Sequence, residues 1–226
     1  MQHAFGLTIP ETLEEVCDPA RTALIVYDMQ VGIVSQLSDG RTVAQRVAEV
    51  RSAARSAGVR VVYTRHMSLP NEVAGVTQLR TAMAWQRVER ASDVKPAFLR
   101  DSPAFQITPE LSPYPTEVVL DKITMSAFEG TPLNIMLRDC GLSAFAIVGI
   151  ALEVGIEPTV RHAMDLGYLP VVVEDACGSR DKAAARGVLD SLKFAGGSLQ
   201  TDVKTICSLF NRFRDQRTSV AIRSRP

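Results

Sequence analysis

Five short apolar runs place the strongest limit on how this chain can fold. Each is nearly continuous and rich in β-branched residues, as expected for strands that are buried on both faces. The runs lie at 22–28, 59–65, 117–122, 144–150 and 169–176. Strands that are covered on both faces are typical of parallel sheets, so the pattern predicts a parallel sheet at the centre of the molecule.

Segments with helical patterns separate most of these strands. The first has a 3.6-residue apolar stripe through Val43, Val47 and Val50 and ends at Gly58. The predicted helices lie at 39–58, 76–88, 131–141, 181–197 and 202–210. A sixth, short strand is predicted at 198–200. Alternation of strand and helix predicts an α/β fold, a three-layer sandwich with a six-stranded, mostly parallel sheet and helices on both faces.

Composition excludes several classes of function. The 226 residues suit one α/β domain, and a formal net charge of zero argues against nucleic acid or acidic membranes as partners. The chain has neither an apolar window of about 18 residues nor a signal-peptide pattern at its start. The four cysteines lie far apart and form no C-x-x-C pair, which is typical of reduced thiols, so a cytoplasmic location is predicted.

Two regions depart from the alternating pattern. Residues 66–116 contain one predicted helix and a proline-dotted loop, and so long an excursion is usually a lid or a subunit contact. Residues 212–226 hold five Arg against one Asp. We therefore predict a domain over 1–211 and a basic C-terminal tail over 212–226, poorly ordered or in contact with a neighbouring subunit.

Chemistry-bearing residues follow three of the predicted strands. Asp28 ends the first, Asp121 and Lys122 end the third, and Gly155 lies just after the fourth. Ligands of open parallel sheets bind at the carboxyl ends of the strands. Taken singly, each residue also has an ordinary structural interpretation: a helix cap for Asp28, a surface lysine for Lys122 and close packing for Gly155.

Three motifs carry these residues: "ALIVYDMQ", "LDKITMSAFEGTPL" and "GIALEVGIEPTVRHAMDLGYLPVVVEDACGS". Together they resemble the isochorismatase-like hydrolases, also called the cysteine hydrolase family, over roughly residues 20–205. In the amidases of that family, by this resemblance, a cysteine at the position of Gly155 is the nucleophile, the residue matching Asp28 takes its proton and the residue matching Lys122 supports the pair. Glycine cannot form an acyl-enzyme, so that chemistry is not expected here.

One branch of the family, the true isochorismatases, also has glycine at this position. The resemblance implies hydrolysis of a vinyl ether of a small acid, with Asp28 as the general acid. A neighbouring Lys122 favours the ionised carboxylate, whereas this role needs a protonated one. Two alternatives stay open: a diverged amidohydrolase in which Asp28 and Lys122 activate water, and a ligand-binding homologue without catalysis.

Further site residues are predicted around these three. The predicted substrate-binding residues are Gln78, Arg80, Trp85, Arg87, Phe128 and Ala151. By resemblance, the peptide bond Ile150–Ala151 is cis, and the backbone of 151–155 holds a developing negative charge. With only His3, His66 and His162 and no paired spacing, we predict no metal site and no cofactor. The family commonly forms oligomers, so a homo-dimer or homo-tetramer that acts on a small molecule is expected.

Overall fold

The computed structural model describes residues 1–223, with side chains up to residue 219. The strands are β1 (Gln2–Ala4), β2 (Leu7–Ile9), β3 (Thr22–Tyr27), β4 (Arg60–His66), β5 (Val118–Lys122), β6 (Ala144–Ile150), β7 (Leu169–Gly178) and β8 (Leu199–Thr201). Six of them form one parallel sheet in the order β5-β4-β3-β6-β7-β8, and β1 and β2 form a separate antiparallel hairpin. The predicted six-stranded α/β sandwich is confirmed.

Helices cover both faces of this sheet. They are α1 (Leu13–Val16), α2 (Val31–Val34), α3 (Gly40–Ala57), α4 (Val76–Gln86), α5 (Leu133–Asp139), α6 (Glu157–Asp165), α7 (Lys182–Ala195) and α8 (Val203–Arg223). Because side chains alternate along a strand, β3 supplies both cores. Leu24 and Val26 pack in the cluster that includes α3 and α8, whereas Ala23, Ile25 and Tyr27 pack in the cluster that includes α5, α6 and α7.

The strand order determines where a site can form. Successive strands run to one side from β3 through β4 to β5, and to the other side from β6 through β7 to β8. The carboxyl ends of β3 and β6 therefore flank the point at which the order reverses, with Tyr27 in register with Gly149. Open α/β sheets bind their ligands at such a point.

The C-terminal helix is longer than its sequence pattern predicts. It was expected to end near Phe210, but α8 continues to Arg223. Arg217 Nη1 donates to the carbonyl of Ala57, so this helix is bonded to the end of α3. Residues 212–223 are thus helical, and 224–226 lie outside the described residues; the expected poor order of this tail stays a prediction. The domain boundary at 211 and a contact of this segment with another subunit stay predictions.

Candidate active site

A buried ion pair lies at the carboxyl edge of the sheet. Asp28 follows β3 and Lys122 ends β5, and both reach over the end of the intervening β4. Lys122 Nζ lies 2.6 Å from Asp28 Oδ2, and the two side chains are 1% and 5% exposed, respectively. The structure thus brings together two residues that the sequence places on separate strands. Removing either partner would leave an uncompensated buried charge.

Thr64, on β4 between the two, completes this pair. Its hydroxyl donates to Asp28 Oδ1 at 2.5 Å and accepts from the Asp28 backbone N–H at 3.2 Å. Asp28 has a φ of 47°, in the left-handed region, where Asp is more readily accommodated than most residues. The carboxylate thus accepts one hydrogen bond on each oxygen, from the Lys122 ammonium on Oδ2 and from the Thr64 hydroxyl on Oδ1. No sequence pattern singles out Thr64, since it lies within an ordinary strand.

Gly155 lies in a short π-helical turn, Leu152–Ile156, that follows β6. The space in front of it is filled. A Cβ atom on residue 155 would lie 2.2 Å from the Tyr27 hydroxyl oxygen and 2.4 Å from its Cε1. Tyr27 is 1% exposed, and its hydroxyl donates to the carbonyl of Met125. Tyr27 was not among the predicted site residues, although it directly precedes Asp28.

The backbone around Gly155 is only partly as predicted. The peptide bond Ile150–Ala151 is cis, as expected. The N–H groups of Gly155 and Ile156, however, both donate to the carbonyl of Ala151 at 3.0 Å. The Gly155 N–H is thus engaged within the turn, and the expectation that the backbone of 151–155 stabilises a developing negative charge stays a prediction.

His66, the last residue of β4, lies beside the ion pair. It is in register with Lys122, and its ring centroid lies 6.4 Å from that of Trp85 and 6.2 Å from that of Phe98. Burial lowers the pKa of His66; the Asp28 carboxylate acts in the opposite direction and the Lys122 cation adds to the lowering. The imidazole is therefore favoured in its neutral form and can accept or donate a proton.

Gln30 holds the backbone of His66 in place. Its side-chain amide accepts from the His66 N–H at 2.6 Å and donates to the His66 carbonyl at 3.0 Å. The same amide also donates to the carbonyl of Phe105 at 2.9 Å. Gln30 thereby links the segment after β3 to the end of β4 and to the excursion over 66–116. Its place in the motif "YDMQ" was the only sequence signal for this role.

The predicted substrate-binding residues of the excursion are carried by α4 and its end. Trp85 is 48% exposed and its ring lies near that of His66, which places the end of α4 next to the end of β4. Gln78 accepts from the Gly75 N–H at 3.3 Å and so caps the start of α4. Arg80 and Arg87 are exposed to solvent. Their roles in binding stay predictions.

Phe128 and Ala151 are placed differently from each other. Phe128 is 6% exposed and stacks on Tyr168 with ring centroids 5.5 Å apart, so it packs in the core next to α6. Ala151 is half-buried and stands at the cis bond that starts the turn of Gly155. The structure brings only Ala151 of these two to the turn, and a role in binding stays a prediction for both.

The described residues show no clustered metal donors and no bilayer-spanning helix. Among them, no three His, Cys, Asp or Glu side chains are grouped closely enough to hold a metal ion. None of their helices combines the length and the apolarity needed to cross a membrane. The predicted absence of a metal and of a cofactor stays a prediction.

The chain is similar to known proteins over most of its length. The isochorismatase domain matches residues 22–204. The chain is 30% identical over 187 residues to a ureidoacrylate amidohydrolase RutB of Methylorubrum extorquens, covering 76% of this chain and 75% of the relative. It is 29% identical over 175 residues to the protein of that name from Acinetobacter baylyi, covering 70% and 71%.

A solved structure shows the same fold. The crystal structure of a cysteine hydrolase from Pseudomonas syringae superposes with a TM-score of 0.75 at 22% identity and covers 88% of this chain and 96% of that one. At that identity the likeness concerns the fold alone. The domain match spans most of the chain and includes Asp28, Lys122 and Gly155. The chain therefore belongs to the isochorismatase family of hydrolases.

Proposed function

We propose that this protein hydrolyses the C–N bond of a small amide or ureido acid without a covalent thiol intermediate. Asp28 acts as the general base, and Lys122 and Thr64 hold it in place. The observation that carries this proposal is the turn after β6, where residue 155 has no side chain and a tyrosine fills the space a thiol would need. Water must then be the nucleophile, and a base has to activate it.

The hydrogen bonds of Asp28 suit a base better than an acid. Each carboxylate oxygen accepts one short bond, from Lys122 and from Thr64, and an oxygen with two lone pairs can accept a further one from water. In the proposed step, Asp28 takes a proton from water as the water oxygen bonds to the carbonyl carbon. The C–N bond then breaks, and the proton passes to the leaving nitrogen.

The substrate class follows from the relatives and from α4. Two relatives that are 29% and 30% identical bear the name ureidoacrylate amidohydrolase, which describes a small ureido acid. Arg80 and Arg87 are exposed on α4 and at its end, where a guanidinium could pair with the carboxylate of such an acid. We therefore propose a small carboxylic acid that carries an amide or ureido group.

Vinyl-ether hydrolysis of the isochorismate type is the second candidate. It is favoured by the same glycine, since this reaction needs no covalent nucleophile. It requires Asp28 to donate a proton to carbon, however, whereas both carboxylate oxygens already act as hydrogen-bond acceptors, one from Lys122 and one from Thr64. For this reason we place it after amide hydrolysis.

Asp28→Asn tests the proposal. The substitution keeps the shape of the side chain but removes the base, and positioned proton transfer typically contributes about 10²–10⁴-fold to a rate. We expect ammonia release from a panel of ureido and amide acids to fall by that amount. The matched control is Asp121→Asn on β5, which breaks a 2.8 Å ion pair with Arg65 and leaves Asp28 intact. Its turnover should stay within about tenfold of the wild type.

The outcomes separate the candidates. Ammonia release that depends on Asp28 supports the amidohydrolase. Pyruvate release from isochorismate, with no ammonia from the panel, would replace it with the vinyl-ether hydrolase. Saturable binding of these acids without either product would show a ligand-binding homologue.

A further inference from the structure

We propose that Tyr27 is a positioning residue of this site, and that Tyr27 and Gly155 form one unit that maintains it without a thiol. The inference rests on the proposed function in one respect, since it treats the Asp28–Lys122 pair as the working group. Its steric part stands on contacts alone.

Tyr27 occupies the space that a side chain at position 155 would need. Three atoms of the Tyr27 side chain, its hydroxyl oxygen, Cζ and Cε1, lie 2.2–2.5 Å from the position of a Cβ on residue 155. Real Cβ contacts are much longer, so a side chain at 155 requires this ring to move. Tyr27 cannot shift freely, because it is 1% exposed and lies within the core cluster of α5, α6 and α7.

The second contact is with the catalytic pair. Lys122 Nζ lies 4.3 Å from the centroid of the Tyr27 ring, within the range of a cation–π interaction. The same ammonium group donates to Asp28 at 2.6 Å and to the carbonyl of Thr124 at 3.1 Å. The Tyr27 ring is therefore the third group in contact with the Lys122 ammonium, beside the Asp28 carboxylate and the Thr124 carbonyl. It restricts the ammonium to positions close to Asp28.

Two hydrogen bonds connect the loop after β5 to this arrangement. Tyr27 donates to the carbonyl of Met125, and Thr159 accepts from the Ala127 N–H at 3.0 Å. Thr159 in turn donates to the Gly155 carbonyl at 2.7 Å. These bonds fix the loop after β5, the turn of Gly155 and the side chain of Tyr27 relative to one another. A direct consequence is that Gly155→Cys alone should not recreate a thiol hydrolase, because Tyr27 occupies the space.

A double-mutant cycle of stability tests the steric part. Gly155→Ala should lower the melting temperature by about 2–12 °C, because an added Cβ overpacks the core against Tyr27. In a Tyr27→Val background, which vacates the space, the same substitution should lower it by less than about 2 °C. Losses that simply add would overturn the proposal.

The chain offers a matched control for this cycle. A Cβ on Gly187, in α7, would meet no atom within 4 Å. Gly187→Ala should therefore raise the melting temperature or leave it unchanged, and its effect should be the same in the wild type and in the Tyr27→Val background. A change that depends on the side chain at position 27 there would show that the coupling is general rather than specific to position 155.

Turnover tests the positioning part. Tyr27→Leu removes both the ring over Lys122 and the hydroxyl and should lower kcat about 10- to 100-fold with little change in KM, whereas Tyr27→Phe, which keeps the ring and loses only the hydroxyl bond to Met125, should recover part of this loss. Equal kcat values per folded enzyme in the two variants would refute a positioning role. If the wild type turns over none of the panel acids, the proposed function fails, while the stability cycle still decides whether Tyr27 and Gly155 are coupled.

Discussion

At the scale of single residues, the four cysteines differ in how far they could replace a missing thiol. Burial raises the pKa of Cys17 to about 12 and that of Cys207 to about 11. Cys177 lies on β7 in register with Gly149, and burial also raises its pKa well above the ordinary value, with Asp175 adding to the effect. Cys140, at the end of α5, is the exposed cysteine. A neutral, buried thiol is a poor nucleophile.

We therefore expect alkylation to leave catalysis intact. Iodoacetamide at pH 7.5 should label Cys140 first, and ammonia release should stay within about twofold of that of untreated protein, because no labelled thiol lies at the turn of Gly155. Mass spectrometry locates the label while activity is followed in parallel. Cys140→Ser serves as the control, since it removes the accessible thiol. Inactivation that accompanies labelling of Cys177 would contradict this prediction.

The site residues differ in how well they could be predicted from the sequence. Asp28 and Lys122 could be predicted, because each ends an apolar run and parallel strands bring such ends to one edge. Thr64 and Tyr27 could not, because their roles depend on which strands are neighbours and on which face each side chain takes. Gly155 was identified from its motif, but the Tyr27 ring that occupies the space of the absent side chain lies on β3, far from Gly155 in sequence.

At the scale of elements, the end of β4 makes the fold sensitive to pH. The pKa of His66 is lowered in the folded protein, chiefly by burial, so between that value and the unfolded value of about 6.5 the unfolded chain binds more protons. Stability should therefore rise with pH through this window, be complete above about pH 6.5, and decrease on acidification.

The measurement is denaturant unfolding between pH 5 and 7. In the wild type one extra proton on the unfolded chain gives a slope of up to about 1.4 kcal/mol per pH unit, and His66→Gln should flatten the curve by up to this amount. His3→Gln, in the exposed β1–β2 hairpin, is the matched control. An equal change of slope in both variants would mean that the end of β4 is not the origin.

Elements were predicted well where apolar periodicity is strong and poorly where it is weak. β6 coincides with its predicted run, Ala144–Ile150, and α3 differs by one residue at each end. The β1–β2 hairpin was not predicted, since its strands have three residues each and β2 is exposed throughout. The end of α8 was misplaced because the stretch 212–219 is mostly polar in sequence, whereas in the structure this part of α8 is bonded to α3 through Arg217.

At the scale of the whole molecule, the sheet order brings distant segments to one site. The reversal between β3 and β6 brings Asp28 and the turn of Gly155 to the same edge, and the parallel β4 and β5 add His66 and Lys122. The alternation of strands and helices predicts a parallel sheet with right-handed crossovers, but it does not by itself determine which strands are neighbours. It does not predict how subunits assemble, so the homo-dimer or homo-tetramer stays a prediction.

An ion pair away from the site fastens α3 to the chain before β5. Arg55 binds Glu117 with two bonds of 2.7 Å, and its guanidinium lies 3.7 Å from the centre of the Tyr114 ring. The side chains of Arg55 and Glu117 are 16% and 8% exposed. Burial would raise the pKa of Glu117, but the bonds from Arg55 and from the Tyr114 N–H outweigh it and lower the pKa.

Glu117→Gln should therefore destabilise the whole domain. Loss of a charge-assisted, largely buried contact costs about 2 kcal/mol, whereas Glu14→Gln, which breaks an exposed pair with Arg212, should cost less than about 0.5 kcal/mol.

Because the pKa of Glu117 is lowered on folding, its contribution is complete above about pH 4.5 and is lost as the pH falls through the folded value. Denaturant unfolding at pH 7 and pH 3 measures both effects, and the difference between wild type and Glu117→Gln should shrink at pH 3. A loss no larger than that of Glu14→Gln at pH 7 would show that this contact does not stabilise the fold.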